Sequence, residues 1–257
     1  MSSPIKILIA VLSTFERSGW HHPSITEFMH SLRWEQNYAT TFVPVHNFHP
    51  AASGRNTICK FFQTQTDADW ICMIDNDMRV PSNLLDTLKD IPADAQLIAP
   101  TFYLWDESIP AVKMCLGIEK GDLDIIEKDG REYVNFKTIP AFVPIFKCGT
   151  GVIFIHRSVF DTVPYPWFKY VYNEDQGMIG TEDIWFCDQA KKLGIKMYGN
   201  TRITVGHYHN VNLEKVADLV YNHRIPLPKD VTIDKKVDSG VASSQTEGRP
   251  PEVAASA

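Results

Sequence analysis

The chain has no Cys-x-x-Cys pair, no Asn-x-Ser/Thr sequon, no excess of basic residues and no apolar run long enough to cross a bilayer. Each absence closes a class of protein. The five cysteines, at 59, 72, 115, 148 and 187, are scattered, mostly within apolar stretches. That spacing argues against a zinc knuckle or a disulfide framework and marks most of them as reduced core residues. Acids outnumber bases 31 to 25, for a formal charge of −6, so the cationic stripe that a nucleic-acid partner needs is missing. The apolar segment Ile7–Leu12 falls far short of the roughly 20 residues of a membrane helix and reads as a strand. A soluble, cytoplasmic protein is the expectation.

What is present is an ordinary globular composition, 257 residues with 44% hydrophobic side chains, enough for one sizeable α/β core. Residues 1–229 read as one domain. The polar, small-residue segment 230–257 reads as a disordered tail. The most informative stretch is Trp70-Ile71-Cys72-Met73-Ile74-Asp75-Asn76-Asp77. A continuous apolar run of this length suits a strand buried on both faces, and Asp marks the point where it leaves the core. Around it the pattern is β-α-β-α-β-α-β, which predicts a mainly parallel central sheet flanked by helices. Ile5–Ser13 is the first strand, and Ser24 to Glu27 reads as a capping box opening a helix. Phe42 to Val45 reads as a second strand, and Pro44 argues for an edge or a strand end. Residues 51–56 read as a small-residue loop before a helix bearing Ile58, Phe61 and Phe62. A helix is expected after Pro81, carrying Leu84, Leu85, Leu88 and Ile91. Residues 101–140 read as an antiparallel excursion with a hairpin turn at Asp129-Gly130. Strand, Gly-rich break and strand follow over 143–155, then an aromatic stretch to Tyr172. A helix from Thr181 to Leu193 stops at Gly194. Two short strands follow, and then a last helix at 212–224.

Five features carry chemistry. Asp75 and Asp77 at a strand end suit a hard divalent cation bearing phosphates. In His207-Tyr208-His209 both imidazoles share one strand face, and either could complete a mixed oxygen/nitrogen site suited to Mn²⁺, with Mg²⁺ an alternative. Glu182 and Asp183 stand in a helix first turn, where the macrodipole favours an ionised carboxylate able to take a proton from a hydroxyl. Gly149-Thr150-Gly151 permits close approach of a ligand to backbone. Arg55, beside Asn56, can hold a phosphate or a base edge.

In this order, from the strand ILIAVLST to the late histidine, these segments resemble the GT-A glycosyltransferases, close to the bacterial and phage family-2-like members, over residues 5–210. The resemblance implies a DxD motif in which Asp77 holds a divalent metal, Mn²⁺ or Mg²⁺, with Asp75 turned to the ribose or metal and His207 completing the site. It places Ser13, Thr14 and Glu16 at the nucleotide base, Arg55 at the nucleotide or pyrophosphate, and Gly149, Thr150 and Gly151 beside sugar and acceptor. Asp183 is the implied base of an inverting enzyme, with Glu182 its competitor. The donor would be a UDP- or GDP-sugar and the acceptor an unidentified hydroxyl compound. The Gln-x-x-Arg-Trp signature of processive synthases is absent. The rival readings are a non-catalytic sugar-nucleotide-binding protein and a metal-dependent nucleotidyltransferase or phosphohydrolase.

Overall fold

The computed structural model describes residues 4–13, 21–46, 50–106, 111–118, 125–128, 131–134 and 138–208. In chain order these form β1 (Ile5–Leu12), α1 (Pro23–Ser31), β2 (Tyr38–Val45), α2 (Ala51–Gln65), β3 (Trp70–Asp75) and β4 (Met78–Arg79). Then come β5 (Leu97–Thr101), β6 (Tyr103–Asp106), β7 (Ala111–Met114), β8 (Leu116–Ile118), β9 (Ile125–Lys128) and β10 (Arg131–Val134). β11 (Phe142–Cys148), β12 (Val152–His156), α3 (Ser158–Thr162), β13 (Val171–Asn173), β14 (Gly177–Gly180), α4 (Glu182–Lys192), β15 (Met197–Thr204) and β16 (Gly206–His207) complete the set.

Eight strands build the central sheet in the order β2-β1-β3-β12-β5-β15-β11-β8. β1 runs parallel to β2 and β3, and β5 runs parallel to β15. β12 lies antiparallel between β3 and β5, and β11 antiparallel between β15 and β8. The sheet is therefore mixed, with β11 and β12 reversed against the common direction of the other six. The apolar runs of β1 and β3 are continuous because both faces are covered. Leu8, Ala10, Ile71 and Met73 pack with Ile58, Cys59 and Phe62 of α2 and with Phe186 and Ala190 of α4. Their neighbours Ile7, Ile9, Cys72 and Ile74 pack on the other face with Ile25 and Phe28 of α1. The period of two distributes alternate residues between these layers. Because α1 and α2 cover opposite faces, a crevice opens at the carboxyl ends of β1 and β3. Four cysteines are buried and Cys115 is partly exposed, all of them free.

Several expectations change on contact with the structure. Residues 51–56 are the first turns of α2, not a loop, and begin directly after Pro50 at the N-cap. Ser24 does not cap α1. The N-cap is His22, whose Nδ1 accepts from Ser24 N at 3.2 Å, while Ser24 Oγ accepts from Val80 N at 3.0 Å. The helix expected after Pro81 is only a 3-10 turn, Leu84–Leu88, because Lys89 is extended and Asp90 takes a φ of +54°. The antiparallel excursion is present as the pairs β6–β7 and β9–β10, with Lys128 opposite Arg131. The turn residues Asp129 and Gly130, the helix expected at 212–224 and the tail from 230 lie outside the described residues.

Two partly buried polar devices close element ends. The Arg157 guanidinium donates to the carbonyls of Phe62, Gln63, Thr66 and Ala68 at 2.8–3.1 Å, which satisfies the orphan acceptors at the end of α2. At the start of α3, His156 Nδ1 accepts from Ser158 N at 3.3 Å, and the imidazole packs edge-on against Trp70. Burial lowers the His156 pKa. A histidine held neutral in the fold stabilises it fully above its unfolded value, about 6.5; that stability starts to be lost as pH falls below this value and is gone below the lower folded one. Denaturant melts between pH 5 and 8 should show a fall in stability below about pH 6.5 that His156→Gln flattens.

Candidate active site at the ends of β1 and β3

The acid pair leaves β3 under backbone control from both neighbouring strands. Asp75 N donates to Gly151 O at 2.8 Å, and Asn76 N donates to Leu12 O at 3.0 Å. Asn76 is buried and its carbonyl accepts from His22 N, so the central residue of the motif is structural. The Asp75 and Asp77 side chains are partly exposed on either side of it. β16 returns from far along the chain to pair antiparallel with β4, and Tyr208 N donates to Asp77 O at 2.9 Å. This brings His207 Nε2 to 3.7 Å from Asp77 Oδ2, a charge pairing longer than a hydrogen bond. The pairing with Asp77, opposed by burial, raises the His207 pKa above its ordinary value.

Beneath Asp75 lies Arg55, 3% exposed. Its Nη2 donates to both Asp75 oxygens at 2.9 Å, and its Nε points to Glu182 Oε1 at 3.4 Å. Burial disfavours the charged guanidinium, but the two carboxylates outweigh it and its pKa moves up. Burial pushes Asp75 the other way, up to about 6, against the pull of Arg55 and with help from Asp77 and Glu182. Arg55 Nη1 is buried without a hydrogen-bond partner. A cavity of about 110 Å³ opens here, lined by Leu12 and Ser13 from β1, Ala51, Gly54 and Arg55 from α2, and residues 75–77. The N-terminus of α2, which has no side-chain cap, thus faces the crevice as an anion-favouring end.

α4 begins at the same place, since Glu182 is its first residue and is buried against Arg55. Tyr170 is half-buried beside it, and burial with the Glu182 carboxylate pushes its hydroxyl up to about 12. Asp183 faces differently. Its Oδ1 accepts from Ile184 N at 2.8 Å and from the Thr181 hydroxyl, and neither bond falls on Oδ2. Of the two acids weighed as a base, Glu182 is committed to a buried pair and Asp183 is not.

Three of the site expectations gain structural detail. Arg55, expected at the nucleotide or pyrophosphate, lines the cavity and is clamped by two acids. Asp75, Asp77 and His207 were expected as one ligand set. Among the described residues no three His, Cys, Asp or Glu side chains already converge on a metal-sized point, because both Asp75 oxygens face Arg55. Two ligands, Asp77 and His207, do face each other, and this oxygen/nitrogen donor set fits a divalent cation whose other ligands come from phosphate. The glycines of 149–151 answer to packing. A Cβ on Gly149 would sit 2.8 Å from the Phe102 ring, and one on Gly151 would sit 2.9 Å from Met78 Sδ. Thr150 is buried between them. Ser13 lines the cavity; Thr14, Glu16 and His209 lie outside the described residues. Asn56 exchanges two hydrogen bonds with the Phe168 backbone and anchors the aromatic stretch. Trp167 and Phe168 are core residues, whereas Tyr165 and Tyr172 are exposed. The Arg55–Glu182 contact was missed, although Arg55 lies three, four and seven residues before Ile58, Cys59 and Phe62, on the buried face of its helix.

Neither a family profile nor a curated protein matches this sequence. Solved structures do resemble it in shape. A197 from STIV superposes with a TM-score of 0.51 at 14% identity, over 80% of this chain and 87% of that one. Weaker likenesses are to GalNAc-T7 with UDP, GalNAc and Mn²⁺ (TM-score 0.49, 11% identity, 81% of this chain, 44% of that chain) and to the catalytic domain of Drosophila β1,4-galactosyltransferase 7 with xylobiose (0.42, 18%, 80% and 71%). At such identities a likeness concerns the fold alone. The fold is α/β: an acid pair leaves the third strand of a mixed central sheet, with helices on both faces. No helix among the described residues is long and apolar enough to cross a membrane.

The glycine packing gives a direct check. Gly149→Ala should lower stability by about 1–3 kcal/mol, because the buried Phe102 ring has no room to yield. Denaturant melts of the purified variant measure it.

Proposed function

We propose that the protein is a metal-dependent glycosyltransferase that moves a sugar from a nucleoside-diphosphate sugar, UDP- or GDP-linked, to an acceptor hydroxyl. The observation that carries this reading is the meeting of Asp77 with His207, 130 residues apart in the chain, beside the Arg55-held Asp75 at the mouth of the β1–β3 crevice. Nothing in the core requires an imidazole and a carboxylate to be brought together there. The domain that performs this would span residues 1–229.

In this reading Asp77 and His207 would hold Mn²⁺ or Mg²⁺, with Asp75 behind them, which would supply charge neutralisation for the departing nucleoside diphosphate. Ser13 and the α2 N-terminus line the donor cavity, with Thr14 and Glu16 assigned to the nucleotide base. Gly149, Thr150 and Gly151 hold the turn that seats Asp75 and border the sugar. Asp183, with one carboxylate oxygen tied into its helix and the other not, takes the acceptor proton if transfer inverts the anomeric centre. Bond breaking proceeds with oxocarbenium character, as in other glycosyl transfer. Glu182 serves Arg55 and is not the base.

A panel of sugar nucleotides with Mn²⁺ or Mg²⁺ tests the assignment. Metal-dependent nucleoside diphosphate release is expected from at least one donor and should vanish in Asp77→Ala. Absence of binding across the panel would remove the transferase reading, and binding without turnover would favour a non-catalytic sugar-nucleotide-binding protein. Asp183→Asn should keep donor affinity while losing about 10²-fold or more in transfer rate, read by single-turnover kinetics.

A further inference from the structure

We propose that Arg55 and Glu182 are positioning residues for Asp75, through which the start of α4 sets how strongly the Asp77–His207 corner holds a divalent cation. The proposal rests on the transferase reading and extends it to two residues that act through another.

The geometry has three parts. The Asp75 backbone is pinned by Gly151 and Asn76 by Leu12, so the carboxylate orientation is the remaining freedom. The Arg55 Nη2 bonds to both oxygens at 2.9 Å remove it. Arg55 is in turn oriented by Glu182 at its Nε, 127 residues away in sequence, in surroundings where water cannot replace that acceptor. A guanidinium is a planar fork, so holding one prong aims the others.

Charge gives the same direction. Asp75 and Glu182 share one buried cation, which leaves a net negative charge behind the Asp77–His207 corner. Neutralising Glu182 gives the whole of Arg55 to Asp75 and withdraws that charge. Because Glu182 directly precedes Asp183, a displacement at the helix start reaches Asp75 through a single side chain. Donor and acceptor halves of the site are thereby mechanically joined.

The experiment compares wild type, Glu182→Gln, Arg55→Lys and Asp183→Asn, with Mn²⁺ alone as the probe and electron paramagnetic resonance reading free Mn²⁺. Glutamine keeps an oxygen for Arg55 Nε and so preserves packing, while the charge is lost. Mn²⁺ affinity should weaken about tenfold or more in Glu182→Gln and in Arg55→Lys, at little change in melting temperature for Glu182→Gln. Asp183→Asn should bind Mn²⁺ as wild type does. A Glu182→Gln protein with wild-type Mn²⁺ affinity overturns the proposal. If it also loses transfer as completely as Asp183→Asn, Glu182 is the base instead. A metal-free readout separates this from the transferase reading. In ¹⁵N-arginine spectra the Arg55 Nε–H signal should be protected from exchange in wild type and unprotected in Glu182→Ala, which removes the acceptor. Protection lost in this way, in a protein that takes no Mn²⁺, upholds the clamp and removes the transferase. Equal protection in both proteins overturns the clamp.

Discussion

One buried guanidinium organises this end of the molecule. Moving an arginine out of water is costly, and a pair of well-placed carboxylates is what makes it tolerable. Arg55 lies between Asp75 and Glu182 and meets both conditions. The helix that carries it, the strand that ends in Asp75 and the helix that begins at Glu182 are thereby held at one point. Take the arginine away and two acids stand unpaired beside Asp77 and Asp183, in a chain already acidic overall. The crevice is thus a site of concentrated negative charge stabilised by a single internal cation. Concentrated negative charge of this kind favours cations over bare anions.

The parts of this arrangement that could be read in advance follow from burial. Trp70–Ile74 announced a doubly covered strand because every position is apolar, and the abrupt change to Asp75 announced its end. Glu182 and Asp183 announced a helix start, and Gly194 its stop. What could not be read was which polar groups would face each other. Gly54 and Ser53 made the first turns of α2 look like a loop, since propensity penalises them, and tertiary packing overrode the penalty. Arg55 then read as a holder of phosphate or a base edge, and its spacing from Ile58, Cys59 and Phe62 put it on the buried face. His22 took the capping role assigned to Ser24 because a neutral imidazole can accept a backbone hydrogen bond as a hydroxyl can. The glycines at 149 and 151 drew attention as a ligand-approach signal, and their structural reason is the bulk of Phe102 and Met78.

The division of labour at the site also follows from local chemistry. Glu182 and Asp183 are adjacent and both acidic, yet helix geometry turns consecutive side chains about 100° apart. One enters the core and meets Arg55; the other stays at the rim with Thr181 and Ile184 as neighbours. Asp75 and Asp77 are separated in the same way by the buried Asn76. In each pair one carboxylate faces inward and is held, and its partner faces the crevice.

The place of β12 in the sheet has a consequence for how the chain assembles. β3 pairs with β1 on one side as soon as residue 75 exists, but its other edge waits for residues 152–156. During synthesis at about 5–20 residues per second, that edge stays open for several seconds. It is apolar, regular and unguarded by charge until Asp75, the profile of an aggregation template. The strand that delivers the acid pair is therefore also a segment in need of protection on the ribosome, and the carboxylates that bracket it, Asp69 before and Asp75 and Asp77 at its end, act there as gatekeepers.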